Sequence, residues 1–292
     1  MGLNGFDDRS GLGEGKISGE GRNMSNESET IERHAIAAFH AAAPPQLRAR
    51  LGLQTAEVGG ALVSIAAKAP ASAIVANRTI GLGLDGAETQ ETIQRIVALY
   101  RDAGVARHFV HVHPDSQPVD LRGWLQDAGL EKARGWMKFK RGRDTLPAIR
   151  ETHLTVRHAE SADAPAFGRI VADAFDLGPD LADWVACLVG AEGWHIYMSF
   201  DGNEPAGTGG LYVRDGVGYC DWGATAPAFR QRGSQSALLH RRVTDALNMG
   251  CRLIVTEIGE EVPGDPQHSY NNILRMGFAE DFVRENYAPP RP

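Results

Sequence analysis

Cysteine is scarce in this chain of 292 residues: Cys187, Cys220 and Cys251 are odd in number, far apart and set in apolar surroundings. That pattern excludes a disulfide framework and a thiolate metal cluster, so the thiols are expected to be buried small hydrophobes. Also missing are a run approaching the roughly 18 apolar residues that a bilayer crossing needs and a basic-then-apolar leader, so a cytoplasmic location without membrane contact is expected. There is no excess of positive charge. A formal net charge of −7 leaves no broad basic face for phosphate backbones, and nucleic acid is not an expected partner. His111 and His113 alternate on one strand face, but no third ligand at recognisable spacing joins them; a structural role is expected, and no metal.

What the chain does contain is ordinary for a folded globular protein. Hydrophobic residues make up 42% and charged residues 23%, and the length is comfortable for two cores. Residues 1–29, rich in glycine and polar residues and without apolar period, read as a flexible tail. From Thr30, Ile31, Ala35, Ile36 and Phe39 recur at helical spacing up to Pro44-Pro45. Strands are predicted at Ala61–Ala66, Ala73–Val75, Arg107–Val112 and Trp136–Phe139, and helices over 88–103 and 119–128. The polar stretch ending at Pro147 marks a boundary, giving domains 30–146 and 151–292. In the second, a strand at Leu154–Arg157 leads to a helix capped by Ser161 and a helix over 181–188. Strands at Trp194–Phe200, Ala206–Val213 and Val217–Ala224 follow, joined by Asp-Gly hairpin turns. A further helix then leads to Leu253–Ile258, which is apolar on both faces as a central parallel strand would be.

The two halves repeat. Ala128-Gly129-Leu130 lies over Met276-Gly277-Phe278 at an offset of 148, and Gly104 over Gly250 at 146, each glycine ending a helix before a strand. Gly81-Leu82-Gly83-Leu84-Asp85-Gly86 satisfies the dinucleotide pattern by letter. Asp85 would face a pyrophosphate, however, and no acid ends a strand at the right distance, so a nicotinamide site is not expected.

The most informative stretch is Arg230-Gln231-Arg232-Gly233-Ser234-Gln235-Ser236, which leaves a strand and opens a helix. Free amides and the positive dipole end at a helix N-terminus form an anion site, and Gly233 permits close backbone approach. Arg230 and Arg232 add positive charge, which suits a pyrophosphate. These residues resemble the coenzyme A pyrophosphate loop of Gcn5-related N-acetyltransferases (GNAT): Arg230 and Gly233 match the pattern, while Gln235 stands where a small residue is usual. A helix running into a Gly-Phe turn and a final strand, Ser269 to Phe278, is similar to a second element of the family. Ser269, Asn271 and Asn272 stand either as cofactor contacts or as plain helix-capping residues.

The resemblance implies an α/β (α+β) fold of two GNAT-like domains, each a mixed, mostly antiparallel twisted sheet flanked by helices, with the first degenerate and without cofactor. It implies acetyl-CoA as co-substrate, bound by Ala224, Thr225, Arg230, Gln231, Arg232, Gly233, Ser234, Gln235, Ser236 and Asn272. A backbone N–H near Ala224 or Thr225 would polarise the thioester carbonyl. Many family members place a glutamate base fourteen residues before the first loop glycine, where Tyr219 stands here. Asp221, on the same strand face, is the first candidate base, with Tyr219 as an acid or water holder. The usual tyrosine acid is replaced by Ile273, and Tyr270 is the candidate substitute. Glu257, Glu260 and Glu261 read as solvated loop charges, or as contacts for a cationic acceptor. The expected activity is acetyl transfer to an amine of a small molecule or peptide. The alternative is a non-catalytic acyl-CoA sensor, and monomer and homodimer are both open.

Overall fold

The computed structural model describes residues 20–86, 88–262, 264 and 267–291. Residues 1–19 of the expected tail lie outside them. From Glu20 the chain is helical, ten residues before the apolar period begins. The first half runs through helices α1 (Glu20–Ala42) and α2 (Pro45–Leu51) and strands β1 (Leu53–Val58), β2 (Ala61–Ala66) and β3 (Arg78–Leu82). It continues with α3 (Gln90–Asp102), β4 (Phe109–Val112), α4 (Leu121–Asp127) and β5 (Glu131–Arg141). The second half has β6 (Thr155–His158), α5 (Ala164–Ala174), α6 (Pro179–Ala186), β7 (Trp194–Asp201), β8 (Glu204–Arg214) and β9 (Val217–Thr225). It ends with α7 (Ser234–Asn248), β10 (Leu253–Gly259), α8 (His268–Arg275) and β11 (Ala279–Ala288).

Local chemistry accounts for most boundaries. Proline opens α2, whose preceding Pro44 is extended, and Thr89 caps α3 by accepting from the Thr92 amide. Asp215 (φ 51°) and Gly216 (φ 74°) close the β8–β9 hairpin, as the right-handed twist of its strands demands. Where a strand was expected at Ala73–Val75, a short 3-10 turn (Ile74–Ala76) delivers the chain to β3. Ser161 lies in another such turn, which Glu160 caps while Asp163 accepts from the Glu160 amide at 2.8 Å; no side chain caps α5 itself. Cys220 and Cys251 are buried as expected, whereas Cys187 is only partly so.

All strands join one sheet of eleven, in the order β1-β2-β3-β4-β11-β5-β10-β9-β8-β7-β6. Each half gives its last strand to the other, β11 pairing with β4 and β5 with β10. At the centre β5 and β11 pair antiparallel, with Trp136 opposite Arg284. Those two positions are themselves repeat equivalents, 148 apart, so the local two-fold relating the halves passes between them. The core is shared as well. Ile31, Ala35 and Phe39 of α1 pack with Trp184, Trp222 and Val255 of the second half. Phe39 stacks on Trp184 at 3.9 Å, and the Trp184 indole donates to the Phe39 carbonyl.

Helices α5 and α6 meet at Gly168, where an added Cβ would come within 2.2 Å of the Ala182 carbonyl oxygen. A methyl group there forces the helices apart. Gly168→Ala is therefore expected to destabilise the protein by about 1–3 kcal/mol despite alanine's better helix propensity, read as a lower urea midpoint. Among the described residues no helix is long and apolar enough to cross a membrane.

Candidate active site

β9 and β10 run parallel but stay paired only from Val217–Leu253 to Cys220–Thr256. Beyond that they part, β9 following β8 to Thr225 and β10 following β5 to Gly259. The divergence opens the sheet within the second half. A cleft of about 1460 Å³ lies at the end of β9, between the loop before α7 and the first turns of α8. All ten residues expected to hold the co-substrate, from Ala224 to Ser236 together with Asn272, line it.

The loop has the form of an anion cradle. Gln231 (φ 64°) and Gly233 (φ 86°) turn the backbone left-handed, and a Cβ on Gly233 would press on Thr152 at 3.1 Å. No side chain caps α7. The backbone N–H groups from Gln231 to Ser236 meet no backbone acceptor among the described residues, so several donors converge unmet. Arg230 is exposed. Arg232 instead lies over the Phe229 ring and bonds Asp201 at 3.1 Å. Ser234 seats the helix on the sheet through Ser199 at 2.7 Å, close above Gly207.

Gln235, the residue that departs from the family pattern, leaves the cradle sideways. Its amide donates to Ser269 Oγ and accepts from Asn272 Nδ2, both at 2.9 Å, tying α7 to α8. Its bulk is thus spent on a bridge between helices, and the small-residue requirement is met by geometry.

A bulge interrupts β9, where residues 222 and 223 face one residue of β8. Trp222 there has φ 53°. Thr208 Oγ1 donates to the Trp222 carbonyl at 3.0 Å, and the buried Arg242 guanidinium donates to the carbonyls of Gly210 and Asp221. Neither clamp is visible in the sequence. The bulge turns Asp221 and Trp222 toward a second, smaller cavity of about 190 Å³, while Gly223 and Ala224 line the large cleft. The two cavities are thus adjacent along one strand. Asp221 is half-buried, and among the described residues its carboxylate accepts from the neighbouring Trp222 amide at 2.7 Å. Burial raises its carboxyl to about 6, with Arg78 pulling down and Glu257 pushing up.

Tyr219 is fully buried and donates to Glu257 Oε1 at 3.0 Å; it lines neither cavity. Burial and the nearby carboxylates of Asp221 and Glu257 drive its phenol well above the ordinary range, so it stays protonated. Tyr270 turns its ring edge onto Phe139 in the core and also lines neither cavity. Glu257 is a correction to the sequence reading, being no solvated loop charge. It lies in β10, nearly buried, where it meets Lys138 at 2.6 Å and Arg284 at 2.9 Å. Glu32 of α1 joins the same cations and Arg78, and Glu29 completes the group through Arg284. Glu260 is engaged too, accepting from the Gly135 amide at 3.1 Å.

The corresponding corner of the first half is filled. Ser116 donates to the Leu82 carbonyl, the Gln117 amide donates to the Gly83 carbonyl, and Ser116 Cβ would lie 2.8 Å from a Cβ on Gly83. β3 and β4 also stay paired out to Leu82–Val112. This glycine-rich turn is thus sealed by protein atoms. His111 bonds Asn286 at 2.6 Å, and His113 accepts from the Asp115 amide, each in a structural role.

The comparisons agree with this geometry. Residues 159–269 match the model of the acetyltransferase (GNAT) family. The match lies within the second half, and the molecule as a whole has the fold of two GNAT-like halves. Among solved structures, a GCN5-related N-acetyltransferase from Kribbella flavida superposes with TM-score 0.59 at 15% identity, over 88% of this chain and 96% of that one. One from Sphaerobacter thermophilus gives 0.56 at 17%, over 90% and 92%. A tandem GNAT protein from the clavulanic acid biosynthesis pathway, solved without AcCoA, gives 0.55 at 14%, over 92% and 98%. A search of curated proteins finds no match.

Proposed function

We propose that the protein transfers an acetyl group from acetyl-CoA to a primary amine by direct attack. The observation that carries this is the pairing of an uncapped helix N-terminus, lined with unmet amides, with a separate cavity holding a half-buried carboxylate on the same strand. The amides from Gln231 to Ser236 would hold the diphosphate of the co-substrate, with Arg230 adding charge from solvent. Asp221 takes a proton from the acceptor ammonium. The freed amine then attacks the thioester carbon, forming the C–N bond as the C–S bond breaks, and the nitrogen's remaining excess proton leaves with the thiolate sulfur or to water. A backbone N–H near Ala224 or Thr225 would steady the oxyanion between these steps. Tyr219 and Tyr270, both turned into the core, are not assigned a proton transfer.

Calorimetric titration with acetyl-CoA tests the cradle. Arg230→Ala is expected to weaken binding by about tenfold, and more than Arg232→Ala, because Arg232 is already engaged with Asp201 and Phe229. Unchanged affinity in the double variant would move the co-substrate elsewhere. A non-catalytic acyl-CoA sensor is the competing assignment, and thiol release from acetyl-CoA in the presence of amines separates the two.

A further inference from the structure

The smaller cavity has a composition that says what it takes. Its apolar walls are Trp136 and Val75 from the first half and Phe175, Trp222 and Ile258 from the second, so neither half can form it alone. Three charged groups border it: Arg78, Glu257 and Asp221. Two of these are balanced. Arg78, Lys138 and Arg284 form a buried cluster with Glu29, Glu32 and Glu257, in which cations and carboxylates are equal in number. Asp221 stands outside that balance, making the cavity's surplus charge negative.

Size narrows the occupant further. An engineered apolar cavity of roughly 150 Å³ takes up benzene. At about 190 Å³ this one has room for a single ring or a branched aliphatic group with a short aminoalkyl arm. A peptide lysine brings no ring-sized body to meet the aromatic walls, and an α-amino acid would set its carboxylate against a cavity with no spare cation.

We propose that this cavity is the acceptor subsite and that it selects a compact primary amine with one aromatic-sized body and no anionic group. The assignment rests on the acyl-transfer function proposed above. The ammonium lies against Asp221, next to Gly223 and Ala224 where the large cleft begins. The aromatic walls enclose the body.

The test is thiol release from acetyl-CoA with 4-hydroxyphenethylamine, phenylalanine and a lysine-containing hexapeptide, using the full chain. The expected kcat/KM for 4-hydroxyphenethylamine exceeds that for phenylalanine by about 100-fold or more, the cost of an unpaired buried carboxylate. Val75→Phe, which fills the cavity from its rim, is expected to raise the amine KM at least about tenfold without changing acetyl-CoA affinity. Equal or better turnover of phenylalanine or the peptide would overturn the acceptor class while leaving acyl transfer standing. If no amine releases thiol, amine binding to the CoA-loaded protein, followed by tryptophan fluorescence, decides. Saturable quenching by 4-hydroxyphenethylamine that Val75→Phe abolishes supports the subsite, and its absence overturns it.

Discussion

Asparagine in place of Asp221 is expected to lower kcat by about 100- to 1,000-fold, the usual contribution of a positioned general base. Acetyl-CoA affinity should change little, since the carboxylate lines only the smaller cavity. Because burial places this carboxyl at about 6, the proposed acetyl transfer by the native protein should fall as pH drops through that value and level off above it. The variant should lack that limb. Stability should move the opposite way. A carboxyl raised on folding favours the folded state only while protonated, so native stability falls as pH rises from the ordinary carboxylate range through about 6. Asp221→Asn should therefore be more stable than the native protein at pH 8, with the gap closing toward pH 4. An acid limb that persists in the variant would remove Asp221 from proton transfer.

The second large effect lies behind the site. Glu32→Ala is expected to cost about 3–5 kcal/mol in urea unfolding, the range for breaking a buried ion pair by deleting one partner. Glu32 is fully buried, and its loss leaves Arg284, Lys138 and Arg78 short of an anion in an apolar setting. Burial alone would raise its carboxyl, but Arg284, with Lys138 and Arg78, holds it well below the usual range. Its stabilising contribution is thus present above the ordinary glutamate pKa and is lost only at strongly acid pH. A loss under 1 kcal/mol would mean that water reaches the cluster.

Much of this architecture could be read from periodicity. β2 occupies the expected Ala61–Ala66, a short apolar run, and the helix-glycine-strand repeat gives matched left-handed caps at Gly129 (φ 82°) and Gly277 (φ 76°). The anion loop was readable because its chemistry is local: the amides, the glycine and the arginines are consecutive. What escaped was tertiary. β1 carries exposed Gln54, Thr55 and Glu57 and offers little apolar signal. Glu29 of α1 gives no apolar signal because it is buried in an ion pair with Arg284, far along the chain. Glu257 looked solvated because its partners, Lys138, Arg284 and Tyr219, are distant in sequence. The only hint was a lone Lys138 between Met137 and Phe139 in a strand otherwise fit for a core. Side-chain direction decided Tyr219 and Tyr270, and residue spacing alone cannot supply it.

The traded strands bear on how the chain is made. β11 is made after every other strand of the sheet, yet it belongs in the middle, between β4 and β5. Until it arrives, β4 presents a bare edge of unpaired backbone groups, and β5 has neither of its neighbours. The first half therefore cannot mature on its own as it is made, and the nascent chain must wait for β11 before the centre can close.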